Sequence, residues 1–401
     1  MAKTVDALLT PEAVRERCTA LFEIGLDGDL PWFRVEIERL DEAVRRVAAE
    51  IRTSYPALDV PFHSRWRHLE FDGVDLWAQV RAAYGLTGDA ALAAAGDLAI
   101  VSVLLDAGAG SAWKYKDAAT GLESGRSEGL ALASLRLFES GALSVVPGDP
   151  LRADAAALQA LTPERLALAF QVDADNPLVG AEQRAGLVNR LGAAIAARPE
   201  VFDRAGGIRP GHLLANLARG NSVAARDILI ALLQNLTDVW PSPIKLGDLP
   251  LGDVGCHRAL VRQDATSGLV PFHKLSQWMS YSLIEPLQWH GIAVTGLDGL
   301  TGLAEYRNGG LFVDTGVIRL KDSDLAMTAH KPADEIIVEW RALTVALLDR
   351  VAHAVRAELG TAMPLASILQ GGTWSAGRRI AAELRAGGPP PLRIASDATV
   401  F

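Results

Sequence analysis

The chain has 401 residues, 49% of them hydrophobic, enough for one large core or two closely fused ones. Its 48 acidic residues outnumber 39 basic ones, for a net charge of −9, with no run of five or more like charges. Such a balance speaks against a nucleic-acid partner, which wants clustered Lys and Arg, and Cys18 and Cys256 are too few and too far apart for a disulfide framework or a zinc cage.

The opening "MAKTVDALLTPEAVRERC" lacks the basic-then-apolar pattern of a secretion signal, so a cytoplasmic protein is expected. It starts a helix at "TPEAV", with Thr10 as N-cap and Pro11 in the first position. "ALAAAGDLAIVSVLLDAGAG" (91–110) is interrupted by Asp97 and Asp106 and so reads as a buried core helix, not a membrane span. "LTPERLALAF" (161–170) repeats the capping pattern with Thr162, and "RPGHLLANLARG", "SVAARDILIALLQNLTDVW", "KPADEIIVEWRALTVALLDRVAHAVRAEL" (331–359) and "WSAGRRIAAELRAG" carry apolar residues at helical spacing. Period-two alternation is nearly confined to "IAVTGL" (292–297) and "LRIASDATVF" (392–401). A mainly α fold with a few short strands follows. Gly and Pro cluster at 145–154, 205–211, 240–253 and 386–392 without forming a long linker, so a single compact domain is expected, or two fused lobes, 1–150 and 151–401.

Polar and aromatic groups concentrate in five stretches: "PFHSRWRH" (61–68), 106–130, "LVPFHKLSQWMSYSLIEPL" (269–287), "DGLTGLAEYRNGG" (298–310), whose glycines permit a tight turn, and "QGGTWSAGRR" (370–379). His63 and His68 lie five apart, the wrong spacing for two ligands on one helix face. That first stretch reads either as a turn with Trp66 inward and Arg65 and Arg67 toward water, or as an anion-binding wall of His63, Arg65 and Arg67. "SGRSEG" (124–129), with Arg126 and Ser127, is either a plain helix cap or a helix start facing an anion. In 269–287 a helix would align Lys274, Gln277, Tyr281 and Glu285 along one stripe, either a wet face or the lining of a cleft. Cys256 and His257 are adjacent and do not face each other as a catalytic dyad would. The motifs of serine hydrolases, zincins, Walker loops and dinucleotide-binding folds are absent from the sequence.

Taken together, "HSRWRH", "SVLLDAGAG", "GRSEGL", "LRADAAAL", "DNPLVG", "VPFHKLSQW", "YSLIEPL", "DGLTGLAEYRNGGLFVD", "VEWRALTVALLD", "GGTWSAGRRIAAELR" and the final "SDATVF" resemble the uracil catabolism protein four family of fungi and bacteria over nearly the whole chain. The resemblance implies a place in a pyrimidine-degrading route in which uracil becomes a nucleotide, the ring is opened and a ribosylated urea appears, with other enzymes of that route as partners. "LTPERLALAFQVDADNPLVGAEQRAGLV" (161–188) and "LTGLAEYRNGGLFVDTGVI" (300–318) are similar to the queuosine salvage protein family, as are the spaced Lys274 and Gln277 and the later "VEWRAL" with Glu339 and Arg341. Those proteins look like helical DNA glycosylases and cleave a nucleotide N-glycosidic bond. The resemblance implies that fold and a hydrolase acting between ribose and a nitrogen leaving group. One departure is that Glu305 stands before Tyr306 and Arg307 where that family carries Asp.

Such chemistry passes through an oxocarbenium-like sugar and wants a carboxylate near the anomeric carbon. Glu305 is the first candidate, followed by Asp298, Asp314 and Glu285. Tyr306, Gln277 or His273 would hydrogen-bond or protonate the leaving group, and Arg307, Lys274, Arg126 and Arg378 would take a 5-phosphate. Trp66, Ser127, Tyr281 and Asn308 complete the expected binding set. The alternative role for Glu305 and Arg307 is a buried ion pair that fixes the loop, whereas Glu339 and Arg341 read first as structural partners in the long helix and alternatively as lining of the site. No metal or other cofactor is expected. Competing functions are an amidohydrolase acting on the opened ring, and a noncatalytic binding partner of the pathway.

Overall fold

Helices form where caps and apolar period coincide. The Thr10 hydroxyl accepts the Ala13 amide at 3.1 Å ahead of Pro11–Leu26, and Thr162 accepts the Arg165 amide at 3.2 Å ahead of Pro163–Ala169. The structure, a computed structural model, describes residues 5–110, 112–240, 242 and 244–395, and it is mainly α, with strands only two or three residues long among the described residues. No helix among them is long and apolar enough to cross a membrane.

The chain divides into two units, each drawn from separated stretches, so neither coincides with the blocks 1–150 and 151–401. Among the described residues the first comprises 5–63, 242–277 and 296–395, and the second 64–240 and 278–295. The Lys274–Trp289 helix gives its first turn to the first unit and the remainder to the second.

At the centre of the first unit is Glu335–Leu359, buried without interruption from Ile336 to Leu348. Pro11–Leu26, Leu40–Ser54 and Tyr306–Asp314 pack on it, and Trp374–Leu384 packs on Tyr306–Asp314. Short antiparallel pairs, Phe33–Val35 with Ile318–Leu320 and Val254–Cys256 with Leu269–Pro271, tie the connecting segments down.

The second unit is built on Gly88–Leu104, buried throughout from Leu92 to Leu104 and covered by Arg126–Glu139, Ala181–Ala196 and His212–Leu217. Asp97 is tolerated in its middle because its carboxylate accepts the Arg209 guanidinium and the Ala153 and Gly211 amides, at 2.8, 2.9 and 2.7 Å.

Two local expectations change. Ser222–Ala224, read as the start of a helix, is a strand paired in parallel with Ala293–Thr295, and the helix begins at Ala225. "YRNGG", read as a glycine-rich turn, opens the Tyr306–Asp314 helix. In "LRIASDATVF" Arg393–Ile394 pairs in parallel with Ala329–His330, whereas 396–401 lie outside the described residues.

Candidate functional site

The first unit gathers polar groups from four of the five stretches. The hairpin of Val254–Cys256 with Leu269–Pro271 brings Asp253 beside the turn that enters the Lys274 helix. The Asp253 carbonyl accepts the Phe272 and His273 amides at 3.0 and 3.2 Å, and its carboxylate accepts the Lys274 amide at 2.9 Å. Those contacts hold His273 in the left-handed region, φ +47°, unusual for a residue with a side chain. The buried His273 ring donates from Nε2 to the Leu8 carbonyl at 3.0 Å, and burial lowers its pKa, keeping it neutral.

Arg341 completes this arrangement. It donates to both Asp253 oxygens at 2.9 and 2.7 Å, lies 4.1 Å from the Phe272 ring centre, and its Nε reaches the Ala304 carbonyl at 3.4 Å. Burial alone would raise the Asp253 pKa, but the Arg341 charge and bonds and the Lys274 amide hold it below the ordinary carboxylate range.

Glu305 follows Ala304 directly and is the N-cap of Tyr306–Asp314. Its carboxylate accepts the Arg307 amide at 2.8 Å and the Asn308 amide at 2.5 Å, two of the donors a helix start leaves without partners. Burial nevertheless pushes this carboxyl above the usual glutamate range, and the two amides together with the charges of Lys274 and Arg307 offset that only in part. The Arg307 guanidinium donates to the Gly388 carbonyl at 2.9 Å and lies 5.0 Å from the Tyr306 ring centre, so the pairing between Glu305 and residue 307 runs through the backbone amide.

The glycines allow this helix to pack closely. A Cβ on Gly309 would stand 2.8 Å from the Trp340 indole, whose Nε1 donates to the Gly309 carbonyl at 3.0 Å. Asn308 donates to the Leu303 carbonyl at 3.2 Å and accepts the Thr373 hydroxyl at 2.9 Å. Thr373 ends a π-helical turn, Leu369–Thr373, whose Gln370 Oε1 accepts His63 Nδ1 at 2.9 Å. Gln277 is buried and accepts the Thr301 amide at 3.0 Å, its own amide donating to the Thr301 hydroxyl.

In the second unit Arg65–Leu69 is a 3-10 turn. Trp66 points inward as expected, donating to the Ser282 carbonyl at 2.7 Å and packing edge-on to Trp289. Arg65, expected either in water or on an anion-binding wall, is fully buried and donates to Asp106 at 2.8 Å, Ser102 at 2.6 Å and the Ser127 carbonyl at 3.1 Å. Arg67 pairs with Glu285 at 2.7 Å and Glu70 at 2.8 Å. Glu285 also accepts the Ser64 hydroxyl at 2.5 Å, and burial raises its pKa against the pull of Arg67. Arg126 is exposed at the start of its helix with φ +53°. Leu275 through Ile284 are buried on every side of their helix, so the stripe of Gln277 and Tyr281 is not a wet face.

Other candidates hold the structure together. Asp314 forms a paired contact with Arg385 at 2.7 and 2.6 Å, and Asp298 accepts Arg356 at 2.5 Å and the Leu365 amide at 2.8 Å. Arg378 is exposed over the Trp374 ring. Glu339 and His257, both fully buried, bond at 2.8 Å, and Glu339 also takes the Trp32 and Phe33 amides at 3.1 and 2.7 Å, a structural role. His257 is therefore occupied away from the exposed Cys256. Among the described residues no group of three or more His, Cys, Asp or Glu could hold a metal ion. Asp253 was missed by sequence reasoning, because it sits in a stretch whose Gly and Pro content marks only a break.

The family described as a protein of unknown function, DUF1688, matches residues 7–401. Protein urg3 of Schizosaccharomyces pombe is 37% identical over 412 residues, covering 100% of this chain and 99% of that protein. Uracil catabolism protein 4 of Lachancea kluyveri is 35% identical over 427 residues, covering 97% of each. With a match along nearly its whole length, the chain belongs to the DUF1688 family.

Proposed function

We propose that this protein acts in uracil catabolism and hydrolyses the N-glycosidic bond of a ribosylated urea or its 5-phosphate, releasing urea and ribose or ribose phosphate. Likeness to a relative named Uracil catabolism protein 4 supports the pathway. The observation that carries the chemistry is Glu305: a carboxylate fixed at a helix start, raised in pKa by burial, with the Lys274 charge close by.

In this reading the C1′–N bond breaks as a water oxygen bonds to C1′. Glu305 stabilises the developing positive charge on the sugar and takes one proton from the water, and the departing nitrogen gains one proton in exchange to leave as urea, so that one water supplies both the C1′–O bond and the new N–H and Glu305 returns to its carboxylate. A pKa above the ordinary range suits a group that must accept that proton near neutrality. Tyr306, which directly follows Glu305 and whose ring centre lies 5.0 Å from the Arg307 guanidinium, is the proposed hydrogen-bond donor to the leaving group. Lys274 is the proposed cation for ribose hydroxyls or a 5-phosphate.

The test is to incubate purified protein with ribosylurea 5-phosphate, ribosylurea and uridine monophosphate and to assay urea, ammonia and bound ligand. Free urea with matching ribose or ribose phosphate is expected. Ammonia with the ribosyl group retained on its nitrogen would identify an amidohydrolase, and binding without product would identify a carrier. Either result overturns the glycosidase reading.

A further inference from the structure

We infer that the buried Asp253–Arg341 pair is a positioning device that sets Lys274 against Glu305. The inference rests on the reading of Glu305 as the catalytic carboxylate, but its geometry is independent of the substrate. Lys274 and Glu305 belong to separate segments of the first unit, and the pair touches the backbone at the edge of both. On one side Asp253 takes the Phe272 and His273 amides on its carbonyl and the Lys274 amide on its carboxylate. On the other side Arg341 reaches the carbonyl of Ala304, the residue before Glu305. Two bonds at 2.9 and 2.7 Å join the halves, and the planar guanidinium fixes their orientation as a single-point lysine contact would not.

The local backbone is consistent with a device of this kind. His273 is held at φ +47°, and its ring is tied to Leu8, so the helix beginning at Lys274 draws a capping carboxylate from Asp253, far away in sequence. The Phe272 ring under the Arg341 guanidinium, 4.1 Å from its centre, adds a third point of attachment to the same turn.

Two charge-conserving variants test this: Arg341→Lys, which keeps the cation but loses the fork, and the double variant Asp253→Asn with Arg341→Gln, which keeps the pair neutral overall. Neither changes the net charge near Glu305, so a change in its titration reports displacement of its charged neighbours Lys274 and Arg307. The readout is the carboxyl carbon resonance of Glu305 in glutamate-labelled protein, identified by its absence in Glu305→Gln. Loosening the pair is expected to raise the Glu305 midpoint by about half a unit or more, as Lys274 retreats, and to lower kcat roughly tenfold. An unchanged midpoint in folded variants would overturn the inference. Failure of both variants to fold would assign the pair to folding alone and overturn it equally. If wild-type protein cleaves no ribosyl substrate, the titration still decides the positioning role, so the two readings fail separately.

Discussion

Gly377 lies against the backbone of Arg307 so closely that a Cβ on it would overlap the Arg307 carbonyl. Replacing a glycine inside a helix by alanine ordinarily stabilises by up to about 1 kcal/mol. Here the sign inverts: Gly377→Ala is expected to destabilise by about 1–3 kcal/mol through overpacking. It should also lower kcat, because the displaced backbone carries the amides that hold Glu305. Gly310→Ala is the control, since its added carbon would meet Pro391 at 3.3 Å, a contact that small shifts relieve. Urea denaturation and turnover of the two variants check both expectations.

Glu305→Gln is expected to abolish turnover, by about 1,000-fold, without lowering stability at neutral pH. The linkage explains the second half. Because the folded-state pKa of Glu305 is raised by burial, its contribution favours the fold below the unfolded glutamate pKa and is lost as pH rises through the folded value. At neutral pH the ionised group is therefore a liability, and neutral glutamine removes that penalty while keeping one oxygen to accept an amide. Melting temperatures should favour the variant more at pH 8 than at pH 4.5. A fall in stability that is constant with pH would mean that the lost cap outweighs desolvation.

How much of this was readable in advance depends on whether the partner lay nearby in sequence. Thr10 and Thr162 cap helices three residues away, and both were evident from the local pattern. Glu305 was singled out by composition and resemblance, yet its capping role was not, because the four glycines of "DGLTGLAEYRNGG" argue against a helix until Trp340 is there to pack on Gly309 and the Trp374–Leu384 helix on the helix that Glu305 caps. Arg65 and Arg67 read as facing either water or an anion because their partners, Asp106 and Glu285, are 41 and 218 positions along the chain. Asp253 offered no local signal: its ligands are backbone amides and an arginine 88 positions away.

The pH dependence of turnover follows from the same carboxyl. With ionised Glu305 as the working form, kcat/KM should fall on the acid side with a midpoint above the ordinary glutamate range, since burial raises that pKa. Lys274 pulls it down, so Lys274→Met should move the acid limb to still higher pH, besides weakening binding. A limb that stays in place in Lys274→Met would assign it to another group, and Glu285, also raised by burial, is the first to examine through Glu285→Gln.

The second unit offers a stability experiment that does not depend on any activity. Arg65 and Asp106 form a salt bridge at 2.8 Å with side chains 1% and 4% exposed, and burial lowers the Arg65 pKa from its usual value without a solvent path to relieve the charge. The Ser102 hydroxyl, which contacts Ser134 at 2.6 Å, and the Ser127 carbonyl share the guanidinium, so the arginine is held by one carboxylate and two neutral acceptors. Asp106→Asn would keep the shape and strand the cation in a nearly dry site, which should cost about 3–5 kcal/mol. Replacing both partners, Arg65→Met with Asp106→Leu, should cost much less than the single change, because no uncompensated charge remains. Raising salt from 0.05 to 0.5 M should leave the cost of Asp106→Asn nearly unchanged, since ions do not screen a buried pair, whereas an exposed pair such as Lys114–Glu123 should lose most of its small contribution. Urea denaturation of the wild type, the two variants and Glu123→Gln at both salt concentrations measures this, and a double variant as unstable as the single one would show that the Arg65–Asp106 pair supplies packing shape more than charge.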